Sequence, residues 1–199
     1  MKIKFIIILF FLITPKVWAI PASEILERFK NRMTNFENLS GTISWTTQLG
    51  ITYIGNFKYI NPGKLYIKIT SPQSSLLVAN RKKLWLYDPS HKICSLQNLD
   101  NKLSGGIVNL IKEYQPILSE KTADGYIIQL VNSSKPYPTI IISMDETFFL
   151  KKTVLIDKAN KETNLTIISP STTENIMKKF FKFEVPANTQ VIKNPLDIK

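Results

Sequence analysis

Residues 55–89 read GNFKYINPGKLYIKITSPQSSLLVANRKKLWLYDP. Short apolar runs alternate with polar residues at a period of two, and turn residues separate the runs. Phe57 and Tyr59 share one face of the first run, with Asn56 and Lys58 opposite. Asn61, Pro62 and Gly63 then make a turn, in which proline fixes φ and glycine is free to take a positive one. In KLYIKIT, Leu65, Ile67 and Ile69 fall on one side and Tyr66 and Lys68 on the other. SLLVAN and KLWLYD follow, joined at Asn80–Arg81, and HKICSL comes after DPS. This pattern predicts antiparallel hairpins. Tyr66 and Trp85 put apolar groups on the face that a one-sided sheet leaves polar, so the second face must also be covered.

The same period extends both ways. TISWTTQL sets Ile43, Trp45 and Leu49 on one face, and TYIGNFKYI adds Tyr53. Beyond residue 115, strand signals resume in GYIIQLV, PTIIIS, FFLKKTVLID, TNLTIIS and FFKFEVPANTQVI, the last closed by Pro186. Two segments depart from this rhythm. Residues 24–38 space Ile25, Leu26, Phe29, Met33 and Phe36 as one helical stripe, with Ser23 placed to cap it. In NKLSGGIVNLIKEY, Leu103, Ile107, Leu110 and Ile111 predict a short helix weakened by two glycines. No internal repeat or linker divides the chain, so residues 20–199 are expected to form one domain.

Ten or eleven strands in succession are too many to stay flat, and the sheet should curl towards a barrel. The fold class expected is mainly β, an incomplete antiparallel barrel covered by short helices. A barrel filled by its own side chains and one that leaves an apolar cavity are both open at this point.

The first 19 residues have the three parts of a secretory leader. Two lysines precede the apolar run FIIILFFLI, and Val17 and Ala19 stand at the −3 and −1 positions of a cleavage site. The run is far short of the roughly 20 residues of a membrane span. Export with cleavage after Ala19 is expected. The net charge of +11, of which the leader's lysines supply three, then suits an anionic lipid surface or an acidic partner better than nucleic acid.

Catalytic constellations are poor. His91 is the one histidine and Cys94 the one cysteine, so neither a zinc cluster nor an internal disulfide can form. Asp88, Ser90 and His91 are adjacent, but around Pro89 they read as a hairpin turn rather than a triad. No phosphate-cradling glycine loop or dinucleotide fingerprint is present. No enzyme activity, metal or cofactor is expected.

The order of motifs resembles the periplasmic lipoprotein carrier family, LolA. The resemblance rests on G-x-F-x-Y-x-x-PGKL from Gly55, SP ahead of LLVAN, KKLWLYDP, and the late FKFEVPANTQVI. It spans essentially all of Ile20 to Lys199. It implies a monomer with a hydrophobic cavity under a helical lid, which accepts lipoprotein acyl chains from an inner-membrane ABC transporter. It also implies delivery to an outer-membrane receptor. On that footing the cavity is assigned to Trp45, Phe57, Tyr59, Leu65, Ile67 and Trp85, although Leu84 and Leu86 occupy the opposite side of the strand that carries Trp85. The lid is assigned to Ile25, Phe29, Ile107 and Leu110. The second apolar face would then meet acyl chains or the lid.

Two positions depart from the family pattern. Asn61 stands where the family has an arginine tied to lid closure, which puts a latch there in doubt. The turn at Asn80 and Arg81 replaces an Asp-Gly pair, and Arg81 is less suited than glycine to positive φ, so a different turn is expected. Two other readings compete with a lipoprotein carrier. One is a periplasmic sensor of lipids or lipoproteins, or a carrier of another lipid, on the same fold. The other is a hydrolase built on His91, which His91→Ala should abolish.

Overall fold

The computed structural model describes residues 20–99 and 106–195. The leader, its cleavage site and Leu103 lie outside the described residues. Residues 55–89 lie within a run of consecutive hairpins. Strands β1 (Asn38–Thr46), β2 (Thr52–Ile60), β3 (Lys64–Ser71), β4 (Ser75–Asn80), β5 (Lys83–Asp88) and β6 (Ile93–Asn98) pair antiparallel in chain order. A second meander follows, made of β7 (Gln115–Thr122), β8 (Gly125–Val131), β9 (Thr139–Met144), β10 (Leu150–Ile156) and β11 (Glu162–Ser171). It joins the first through β1 and β11.

The sheet has twelve strands rather than ten or eleven. The twelfth, β12 (Gln190–Lys193), runs parallel beside β6. It corrects one reading: FFKFEV is not a strand, and the strand there is confined to those four residues. Residues 178–181 form a single 3-10 turn instead.

The sheet is open, with β7 and β12 as its edges, and it curls for local reasons. Register shifts fall between Ser40 and Thr42 and between Ile54 and Gly55. Such bulges bend a strand and tighten its twist. Gly55 sits so close to β3 that an added Cβ would lie 2.6 Å from the Lys68 carbonyl oxygen. At Gly41, the Phe57 ring occupies the space of a side chain, 3.2 Å from where a Cβ would be.

Helix α1 (Ala22–Thr34) packs on β7 and β8 and buries Ile25, Leu26, Phe29 and Met33. It is shorter than residues 24–38, because Asn35 leaves helical geometry and Phe36 lies beyond the end. Pro21, not Ser23, holds the cap position, and its carbonyl accepts the amides of Glu24 and Ile25. Arg28 and Arg32, one turn apart, each lie 5.4 Å from the ring centre of Phe148 and Phe149 respectively. Helix α2 (Gly106–Leu110) is a five-residue piece followed by the fully buried Ile111. The main core gathers α1, Ile111 and the concave face of the sheet, including Ile128, Leu130, Ile140 and Ile142.

The second apolar face is turned away from the helix that packs on β7 and β8, and a later part of the chain covers it. Register aligns Tyr66, Val78, Trp85 and Leu96 across β3 to β6 on the convex side. The chain after β11 returns over this row as a strap. Phe180 meets Tyr66 edge-on at 5.1 Å, and Phe183 lies 6.1 Å from Trp85 and 5.8 Å from Tyr87. Lys58 pairs with Glu174 and sits 5.2 Å over the Phe180 ring. Ile176 and Phe181 of the strap are buried, and full burial of such a side chain is worth about 1.5–3 kcal/mol. The Arg81 expectation is also corrected. Arg81 takes φ 76°, and the turn is held from both sides. Its Nε donates to the Pro62 carbonyl at 2.6 Å, while Asn80 Oδ1 accepts the amides of Lys82 and Lys83.

Candidate functional site

Between the concave sheet and the helices lies a hollow of about 190 Å³. Its floor is made by inward residues of adjacent strands: Leu39 and Ile43, Phe57 and Tyr59, Leu65 and Ile67, with Leu150 and Ile167 from the second meander. Met33, Phe36, Ile107 and Val108 close it from above. Its wall is carbon almost throughout, and its one polar side-chain group among the described residues, the Tyr59 hydroxyl, is occupied. That hydroxyl donates to Asn61 Oδ1 at 3.4 Å and accepts the Gly63 amide at 3.2 Å. Among the described residues, no carboxylate, histidine, lysine or arginine lines the hollow, so the described wall can desolvate an apolar group.

Of the six residues assigned to a cavity, Phe57, Tyr59, Leu65 and Ile67 line this hollow together. Trp85 does not. It points to the convex side against Phe183, because inward Leu84 and Leu86 flank it and successive strand residues alternate faces. Trp45 faces inward but borders a neighbouring hollow, where its ring stacks on Tyr53 at 5.0 Å. Among the residues predicted for a lid, Ile107 lines the hollow, whereas Ile25 and Phe29 are core beneath α1 and Leu110 is 45% exposed. Met33, Phe36 and Val108 were missed. Met33 could have been found, since it follows Phe29 by four residues on the same helical face.

Asn61 forms a polar tie at the rim. Its Nδ2 donates to the carbonyls of Thr34 at 3.0 Å and Phe36 at 3.2 Å, and its main-chain amide donates to Glu37 O at 2.8 Å. The Thr34 carbonyl belongs to the last turn of α1, where acceptors lack helical partners. Gly106, at the start of α2, packs beside Tyr59, where an added Cβ would lie 3.4 Å from the hydroxyl. Asn61 and Tyr59 thus link the end of one helix to the start of the other.

The DPSH segment is a turn. Asp88 Oδ1 accepts the main-chain amides of Ser90 at 2.8 Å and His91 at 3.2 Å, and Oδ2 lies 2.7 Å from His91 Nδ1. The His91 side-chain bond, more than the amides, holds the Asp88 carboxyl below its ordinary range. Burial pushes the Cys94 thiol up. Among the described residues, no group of three or more His, Cys, Asp or Glu could hold a metal ion. No helix among them is long and apolar enough to cross a membrane.

Two known proteins with similar sequences share one description. A protein from Azotobacter vinelandii is 26% identical over 182 residues, 86% of each chain, and one from Hahella chejuensis is 24% identical over 178 residues, 82% of this chain and 84% of that one. Both are described as outer-membrane lipoprotein carrier proteins. Among solved structures, an uncharacterized conserved protein from Thermus thermophilus shares the fold with TM-score 0.60 at 13% identity, over 86% of this chain and 98% of that one. MucB shares it with TM-score 0.53 at 10% identity, over 86% of this chain and 65% of that one. The model of the family "Outer membrane lipoprotein carrier protein LolA" matches residues 48–184, and the chain belongs to that family.

Proposed function

We propose that the protein is a periplasmic lipoprotein carrier and not an enzyme. It takes the acyl chains of lipoproteins from an inner-membrane ABC transporter, shields them, and passes them to an outer-membrane receptor. The leader is removed after Ala19, and residues 20–199 work as one carrier domain. The observation that carries this reading is the hollow itself: a carbon-walled space, without acids or bases among the described residues, lined by Phe57, Tyr59, Leu65 and Ile67 and roofed by Met33 and Ile107. The carrier descriptions of relatives matched over most of both chains support it further.

The hollow in this state is too small for its cargo. At about 190 Å³ it falls below the roughly 300 Å³ where drug-sized ligand sites begin, so the roof must move to admit acyl chains. Complete burial of one long chain would approach about 12 kcal/mol at about 0.8 kcal/mol per CH₂. Several chains held that way could not be released on a useful timescale. Closing the roof against an empty hollow competes with cargo and offsets part of that gain. Asn61 supplies the latch in this scheme, through a side-chain amide that holds the carbonyls of Thr34 and Phe36 at and just beyond the end of α1.

The test is to incubate the mature chain with energised spheroplasts that display lipoproteins, and to assay the supernatant for a soluble one-to-one complex. Release supports the carrier. No release in the presence of a verified cognate transporter removes it.

A further inference from the structure

A second hollow, of about 430 Å³, lies at the other end of the concave face. It continues the first along the strands: Ile43 gives way to Trp45 on β1, and Ile67 to Ile69 on β3, one inward step of roughly 7 Å. The stacked Trp45 and Tyr53, with Ile69, Leu77 and Leu86, make its apolar floor. Among the described residues, none from α1 or α2 borders it. We infer that this hollow is a lid-independent docking site for one alkyl chain of the cargo, entered while the helices still close the first hollow.

The polar groups at its border define the rest of the ligand. Asp88, Gln73 and Ser75 stand at the rim. The Asp88 carboxylate is engaged by Ser90 and His91 and keeps its charge, so it disfavours an anionic head group. Thr47 lines the same space, and its Oγ1, buried without a hydrogen-bond partner, can donate to a carbonyl there once its side chain rotates. An alkyl chain ending in a neutral ester or amide meets both conditions. A free fatty acid does not. A chain docked here lies in line with the first hollow, so the second precedes it in loading. The physiological cargo in this inference rests on the carrier reading, whereas the alkyl site itself does not.

The test uses Trp45 as reporter. The chain without its first 19 residues holds two tryptophans, Trp45 and Trp85, so Trp85→Phe leaves Trp45 alone. A lysophosphatidylcholine with a brominated acyl chain, kept below its micelle concentration, serves as a neutral ester probe whose bromine quenches a neighbouring indole. Saturable one-to-one quenching is expected, with at least about tenfold weaker binding of the corresponding free brominated fatty acid. Leu86→Gln, at a position already 43% exposed, should weaken probe binding about tenfold, with an unchanged thermal unfolding midpoint as the control for folding. Ile167→Phe, which fills the first hollow, should reduce lipoprotein release while Trp45 quenching persists. Absence of quenching overturns the inference, as does quenching that Ile167→Phe abolishes and Leu86→Gln leaves intact. Lipoprotein release by the wild type without Trp45 quenching removes this site and spares the carrier reading. Quenching without release does the reverse.

Discussion

The side-chain amide of Asn61 donates to the carbonyl of Thr34 at 3.0 Å, closing the last turn of α1 from a strand turn 27 residues away. With the Phe36 carbonyl also on Nδ2, one short neutral side chain fixes the helix end. A longer cationic one is not needed at this contact.

Asn61→Ala removes both bonds and strands the carbonyls. Each such bond is worth about 0.5–1.5 kcal/mol, so a loss of about 1–2 kcal/mol is expected in urea unfolding. Amide exchange should quicken in the final turn of α1 and in α2, while the strand centres keep their protection. Unchanged exchange in both helices would remove the latch.

Trp85→Ala should strip the strap from the convex face. Truncating a buried tryptophan costs about 3–5 kcal/mol, and Phe183 loses the ring it leans on. Cys94, which is 0% exposed on the same face, then becomes accessible. The measurement is the rate of modification by a thiol reagent, slow in the native chain and fast in the variant. Trp45→Ala should leave that rate low, since Trp45 lies on the other face.

Acid should loosen the strap before it unfolds the sheet. The Lys58 bond, followed by one from Ser40, holds the Glu174 carboxyl below the ordinary glutamate value of about 4.3. A depressed carboxylate pKa contributes stability that is fully present above the ordinary value and is lost as pH falls through the lower folded one. With Trp45→Phe leaving Trp85 as the emitter, its fluorescence should shift to the red below about pH 4.3. Glu174→Gln should lack that component of the shift and show a looser strap at neutral pH. Both side chains are partly exposed, so salt should weaken the effect.

Gly55→Ala should be far more damaging than Gly50→Ala. The added methyl at Gly55 meets main-chain atoms of Lys68 and Ile69 at 2.6 and 3.0 Å, which cannot move aside without breaking the ladder to β3. A penalty of about 3 kcal/mol or outright misfolding is expected. At Gly50 nothing lies within 4 Å, and only its φ of 77° opposes a side chain, at about 1–2 kcal/mol. Thermal unfolding of the two variants gives the comparison.

Much of this was legible in the linear chain. The alternation in GNFKYINPGKLYIKIT placed Phe57, Leu65 and Ile67 in a common inward set, because side chains in a strand point to opposite sides with a period of two. The helical spacing of Ile25, Phe29 and Met33 announced α1. The site was read less completely. Trp85 was set among inward residues although its own flanking leucines pointed the other way, and Leu110 was grouped with Ile107 although a five-residue helix turns only one short edge to the sheet and leaves Leu110 exposed. Arg81 was read as less suited than glycine to positive φ, yet a bond to Pro62, distant in sequence, holds it there.

The sequence by itself determined that two faces of one sheet are apolar, that a sheet of so many strands must curl, and that two helical pieces interrupt it. These are matters of periodicity, strand number and propensity, all written along the chain. Only the tertiary structure decided what covers each face. The strap carrying Phe180 and Phe183 closes the convex side roughly a hundred residues after Tyr66 and Trp85 opened it, and the helices roof only one end of the concave side. Periodicity says that an apolar face must be buried, because water is a poor neighbour for it. It does not say which distant segment will bury it, since that depends on the shape the curled sheet presents.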